Sequence, residues 1–273
     1  MIPFVLSTDI ESKKNTVLIM KIPKLLHQTW KTEEIPTEFI AYAKSWREKN
    51  PDWCYRLWSD RAIRNFIKAN YPDFLTLYDS YDINIKRVDF FKYLVLYHYG
   101  GLYVDMDFEC LKPFDHLLDQ EDTCILGLEP EQHANQLYKR AQLTCNAIMA
   151  SSPGHRFWEH VFKTLIKYSD KKDVLESTGP IMLQEAHDTY NYEDIILFPS
   201  KIFYPLVDIN NRRLLLSNKE KQYYIDMLRY RSFPEESYAV HYWAGSWCHS
   251  GNIWSLGLGL FEKYRKCLMR ILK

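Results

Sequence analysis

The chain has 273 residues, 47% hydrophobic and 26% charged, which is enough apolar material for a sizeable buried core and too much for a disordered chain. Lys plus Arg number 35 and so do Asp plus Glu, so the net charge is zero and the electrostatic pull behind non-specific nucleic-acid binding is missing. Six cysteines without a C-x-x-C pair argue against a disulfide framework or a structural zinc site, and the expected setting is reducing and cytoplasmic.

The first residues meet Asp9 and Glu11 with no basic n-region before them, so 1–21 reads as an N-terminal extension and not as a signal peptide. No apolar run approaches the roughly eighteen residues that a spanning helix needs. From there apolar runs of strand length alternate with amphipathic runs, which predicts an α/β fold with a mixed, mostly parallel sheet flanked by helices in one domain, 22–252. Lys24 to Trp30 is the first strand. A helix opens at Thr37 and ends near Asn50, because the residue before Pro51 is pushed out of the helical region. Trp53 to Trp58 is a second strand, and Ser59 is placed to cap a helix from Asp60 to Ala69. Ile85 to Tyr99 has helical spacing and stops at Gly100-Gly101. Leu102 to Asp105 is a strand that ends in acid. Later strands are expected at 123–128, 143–150 and 237–243, and helices at 154–168, 180–190 and 253–272.

The focus of the chemistry is Tyr103-Val-Asp105-Met-Asp107. On an extended segment alternate residues share a face, so Asp105 and Asp107 are expected to converge while Met106 turns to the core. Two converging carboxylates need counter-charge, and a hard divalent cation, Mn²⁺ or Mg²⁺, supplies it. The position after a strand places the pair at the carboxyl edge of the sheet, where α/β folds bind ligands. Asp89 and Lys92, three apart, share a face of the preceding helix, which by itself reads as an ordinary surface ion pair. Further on, Val240-His241-Tyr-Trp243-Ala-Gly-Ser246-Trp247 joins a strand to a small-residue turn that carries an imidazole, a hydroxyl and indole donors.

Three ordered segments together resemble glycosyltransferase family 32. They are Ile22-Pro-Lys-Leu-Leu-His27-Gln-Thr29-Trp30, the stretch from Lys86 through Asp89, Lys92, Gly100-Gly101 and Tyr103 to Asp107, and His241-Tyr-Trp-Ala-Gly-Ser246-Trp247. The resemblance implies a GT-A fold, a nucleotide-sugar donor (a UDP-sugar or GDP-mannose), a divalent metal and retaining hexosyl transfer to a glycan, lipid-linked or glycolipid acceptor. It implies Asp107 and His241 on the metal, with Asp105 near ribose or sugar hydroxyls. Asp89 and Lys92 fall on the donor sugar, Tyr103 and Asn146 line the same pocket, Ser246 and Trp247 meet the diphosphate, and Thr29 and Trp30 lie near the nucleoside. Asp105, Asp107, Asp89 and Lys92 form the implied catalytic set. Lys92 stands where many relatives have Arg, and a lysine lacks the bidentate fork.

Two other readings compete. Haloacid-dehalogenase phosphatases also place D-x-D after an apolar strand, but their pattern continues with Thr or Val where this chain has Glu109. A non-catalytic sugar-binding module would account for the 15% aromatic content but not for the acidic pair together with His241. At the C-terminus, 253–273 has apolar residues at helical spacing among basic ones. It reads either as a helix packed on the domain or as an interfacial helix on an anionic membrane surface.

Overall fold

A computed structural model describes residues 21–119, 121 and 123–245. The chain runs through β1 (Leu25–Trp30), a 3-10 turn at Thr37–Phe39, α1 (Ile40–Lys49), β2 (Cys54–Ser59), α2 (Asp60–Asn70), α3 (Pro72–Ser80) and α4 (Asn84–Tyr99). It continues through β3 (Gly101–Val104), β4 (Phe108–Cys110), α5 (Asp115–Leu118), β5 (Cys124–Leu128), a π-helical turn at His133–Leu137, β6 (Thr144–Ser151), α6 (Arg156–Lys167) and α7 (Val174–Ser177). The last elements are α8 (Pro180–Asp188), β7 (Ile195–Phe198), α9 (Ser200–Phe203), α10 (Asn218–Tyr230) and β8 (Ala239–His241).

Six strands form one sheet in the order β2-β1-β3-β6-β5-β7, and β4 pairs with β8 in a separate antiparallel ribbon. β1 is parallel to β2 and β3, β5 is parallel to β7, and β6 alone in the large sheet runs against its neighbours. The expected mixed, mostly parallel sheet is therefore found. Because side chains alternate across a strand, the sheet feeds two cores. Tyr103, Leu126 and Met149 pack with Phe90, Phe91 and Leu94 of α4 and Trp158 of α6. Leu102, Val104, Ile125 and Ile148 pack on the other side with Trp46, Phe114 and Phe203.

Local chemistry explains the joints that set the sheet edge. The Ser59 hydroxyl accepts the Ala62 N–H at 3.2 Å and starts α2 as its sequence predicts. Between α4 and β3 the backbone turns through Gly100 at φ +64° and Gly101 at φ +92°. A β-carbon on Gly101 would lie 2.3 Å from the Leu25 carbonyl oxygen, so only glycine lets β3 start this close to β1. The predicted extension 1–21, apart from Lys21, and the predicted helix 253–273 fall outside the described residues.

Candidate active site at the sheet edge

The parallel strands β1, β3 and β5 all point their carboxyl ends at one edge, and the reversed β6 begins there. β3 delivers Asp105 to this edge, where Asp105 N–H is held by the Ala147 carbonyl at 2.8 Å. The segment beyond it is not extended, as sequence alternation suggested. It is a turn, with Phe108 N–H reaching the Asp105 carbonyl at 3.3 Å before β4 begins. The two carboxylates still converge, because the turn folds Asp107 back and buries Met106 at 5% exposure.

Beneath Asp105 lies a buried ion network and not the surface pair that the sequence alone suggested. Lys92 and Asp89 are 2% and 3% exposed. The Lys92 ammonium sits 3.1 Å from Asp89 and 3.0 Å from Asp105, so one cation serves two acids. Asp89 also receives the Asn146 amide at 3.0 Å and the Thr178 hydroxyl at 3.1 Å. Burial still pushes its carboxyl up to about 6, against the pull of Lys92. For Lys92 burial works the other way, but Asp105, Tyr103 and Asp89 outweigh it and hold the ammonium well above the ordinary lysine value. Tyr103 donates to Asp105 at 2.9 Å and accepts from the Thr29 hydroxyl at 2.8 Å. Each polar group at this floor fixes the next, which suits a site that must not reorganise during chemistry.

The second half of the site comes from the far end of the chain. Pairing of β4 with β8 sets Phe108 opposite His241, and the imidazole stacks on the Phe108 ring at 4.5 Å. His241 Nε2 meets Asp107 Oδ1 at 3.0 Å, while Ala244 N–H donates to Asp107 Oδ2 at 2.8 Å. Burial disfavours charge on both partners, yet each stabilises the other: Asp107 lies below the usual carboxylate range and His241 above the usual imidazole value. Asp105, Asp107 and His241 each offer a ligand atom, and these atoms all lie within 4.8 Å of one another. Two carboxylates and an imidazole are hard-to-borderline donors that fit Mn²⁺ or Mg²⁺. His241 Nδ1 is buried without a hydrogen-bond partner among the described residues, so Asp107 and packing on Phe108, Tyr204 and Trp243 orient the ring.

The structure thus brings together Asp89, Lys92, Tyr103, Asp105, Asn146, Asp107 and His241 at one edge, with Thr29 tied in through Tyr103. Tyr103 is wholly buried and acts on Asp105 through its hydroxyl, with no open ring face. Trp30, half-buried at the end of β1, packs edge-on against Phe39. Ser246 and Trp247 lie outside the described residues. Sequence reasoning missed Tyr93, whose hydroxyl accepts from Asn146 at 3.1 Å and donates to the Thr178 carbonyl at 2.7 Å. It also missed the Ala244 N–H, whose partner Asp107 lies 137 positions away, and the buried Glu129–His133 pair, for which the i, i+4 spacing was the available signal.

Residues 36–124 match the family model described as "Glycosyltransferase sugar-binding region containing DXD motif". The uncharacterized glycosyltransferase L373 of Acanthamoeba polyphaga mimivirus is 31% identical over 192 residues, which cover 67% of this chain and 73% of that protein. The chain belongs to this glycosyltransferase family. It is also similar to inositol phosphoceramide mannosyltransferase 3 of Schizosaccharomyces pombe, at 38% identity over 59% of this chain and 44% of that one. The chain spans about half the length of the curated mannosyltransferases it matches, from 44% to 64% for three of them. Among solved structures, the PaToxG glycosyltransferase aligns over 62% of this chain and 70% of its own with a TM-score of 0.47 and 19% identity. The six-stranded mixed sheet with the acidic pair beyond β3 is the GT-A fold that the sequence resemblance implies for this family.

Proposed function

We propose that this glycosyltransferase moves a hexose from a nucleotide-sugar donor to a glycolipid or other glycan acceptor, with a divalent cation and with retention at the anomeric carbon. The observation that carries the reading is the convergence of Asp105, Asp107 and His241 above the Lys92–Asp89 network at the ligand-binding edge of the sheet. The name of the fission-yeast relative favours mannose as the sugar and inositol phosphoceramide as the kind of acceptor.

In this reading Asp105, Asp107 and His241 would hold Mn²⁺ or Mg²⁺, which when bound supplies positive charge against the departing diphosphate. Asp89 and Lys92 meet the donor sugar only at the floor of the pocket, beside Asp105, because both are buried. Lys92 orients the Asp105 carboxylate, and Tyr103 with Thr29 holds its other side. The bond from the anomeric carbon to the phosphate oxygen breaks as the bond to the acceptor oxygen forms on the same face. The acceptor hydroxyl's proton passes to the departing phosphate oxygen. No carboxylate nucleophile is assigned.

The test is donor hydrolysis and transfer by the purified chain, with UDP-sugars and GDP-mannose screened by thermal shift in the presence of Mn²⁺. Cation-dependent stabilisation by one nucleotide sugar, with release of nucleoside diphosphate, is the expected result. Full turnover in excess EDTA would remove the cation from the reading. No turnover of any nucleotide sugar would favour a binding module. Sedimentation with anionic liposomes, comparing the full chain with one ending before Ile253, decides whether 253–273 brings the enzyme to a membrane.

A further inference from the structure

Two residues after His241 the backbone enters the left-handed region at Trp243, with φ +51°. A residue bearing a β-carbon resists this conformation, and a bulky one persists in it only when its surroundings overdetermine it. The surroundings here are specific. The Trp243 indole N–H donates to the Leu206 carbonyl at 2.9 Å, and the ring packs against His241 at 4.2 Å, His133 at 4.5 Å and Tyr204 at 5.8 Å. His133 is a rigid wall, since Nε2 accepts the Asp208 N–H at 2.9 Å and Nδ1–H is therefore directed to the buried Glu129 carboxylate at 3.1 Å. Before the left-handed step the Tyr242 N–H extends the β4–β8 pairing to the Asp107 carbonyl at 3.0 Å, and after it the Ala244 N–H is turned onto the Asp107 carboxylate at 2.8 Å.

We propose that Trp243 is a positioning residue: its indole, clamped between His133 and His241, holds a left-handed turn that aims Ala244 N–H at Asp107 and so fixes the Asp107 and His241 ligand atoms. The indole acts through His241 and the Ala244 N–H, and the Glu129–His133 pair acts through the indole. This inference rests on the cation reading for its consequence and on the turn geometry for its substance.

The experiment compares Trp243→Gly with Trp243→Ala in the full chain. Glycine takes the left-handed conformation without penalty and alanine does not, whereas a residue that serves only as core filling should tolerate alanine at least as well as glycine. Mn²⁺ affinity, read by electron paramagnetic resonance of free Mn²⁺, is expected to fall in both. Glycine should retain about five- to thirtyfold more affinity than alanine. Equal affinities, alanine above glycine, or wild-type affinity in both would overturn the proposal. Exchange of the Ala244 amide, followed by NMR without metal, keeps the two readings apart. If the wild type binds no Mn²⁺ the cation reading fails, and the amide alone decides. Protection in the wild type and Trp243→Gly with loss in Trp243→Ala supports the clamp, and equal exchange in the two variants refutes it. Should both fail to fold, Trp243→Phe keeps a ring but drops the indole N–H, and must weaken Ala244 protection at near-wild-type melting temperature.

Discussion

His241 and Asp107 face each other across 3.0 Å although 134 positions separate them in the chain. The ribbon of β4 and β8 makes this meeting possible, because the register that sets Phe108 beside His241 leaves Asp107 just outside the paired segment. Asp107→Asn keeps the shape and removes the charge. Turnover with Mn²⁺ is expected to fall by roughly a hundredfold or more, the range for losing one charge-stabilising group. Unaltered turnover would show that Asp107 does not contribute through its charge.

Lys92 is the one cation among the described residues that is ion-paired to both Asp89 and Asp105, the first of which is 3% exposed. Lys92→Met should strand Asp89 and cost about 3–5 kcal/mol at neutral pH, the range for breaking a buried pair. A urea melt would measure this, and turnover should fall with it because Asp105 loses its orientation. The companion variant Asp89→Ala separates the roles. A lower melting temperature with turnover intact would make the pair architectural and take Asp89 off the donor sugar.

His27 gives a pH prediction remote from the chemistry. Trp58 donates to its Nδ1 at 3.1 Å, so Nε2–H is directed to the Gly100 carbonyl, also at 3.1 Å. Burial lowers the imidazole to about 4, below the ordinary 6.5. The folded state therefore binds a proton less readily than the unfolded chain. The contribution is complete above the unfolded value and declines as pH falls from about 6.5 towards 4, reaching at most roughly 3 kcal/mol. Denaturant melts between pH 7 and 4.5 should show this slope in the wild type and less of it in His27→Gln. An identical slope in both would assign the acid sensitivity to other groups.

Gly101→Ala is expected to destabilise the fold by about 3 kcal/mol or more, since both positive φ and backbone overlap with Leu25 oppose a methyl group. Thermal unfolding checks it, and a shift of under a degree would mean that β1 and β3 can part cheaply.

Much of this arrangement was legible in the residues. The Ser59 cap, the helix that ends at Gly100-Gly101 and the strand that leads into Asp105 carry their own signals, and all three were placed closely. β4 and β8 are three residues each, too short for a periodic pattern, so their pairing was hidden. α3 follows α2 after a single residue, Tyr71, and its opening Pro72 reads as a break when it is in fact an allowed first helical position. α10 has a readable start in the Ser217–Glu220 capping box, but Met227 is its one buried residue and no strong apolar stripe follows the cap. At the site, the burial of Lys92 was not inferable, because α4 is covered on several sides and its charged residues look like a solvated face in one dimension.

The reversed direction of β6 bears on how such a protein can change. Leu128 and Thr144 are paired at the site edge, so the connection between them both leaves and re-enters the sheet beside the acidic pair. In a wholly parallel sheet each connection would touch that rim only once. Here both ends of 129–143 are anchored on strands, and Glu129 and His133 near its start are held in place by their packing behind Trp243. Substitution at the exposed positions after His133 can therefore reshape this rim from both sides while the strands beneath it are inherited unchanged.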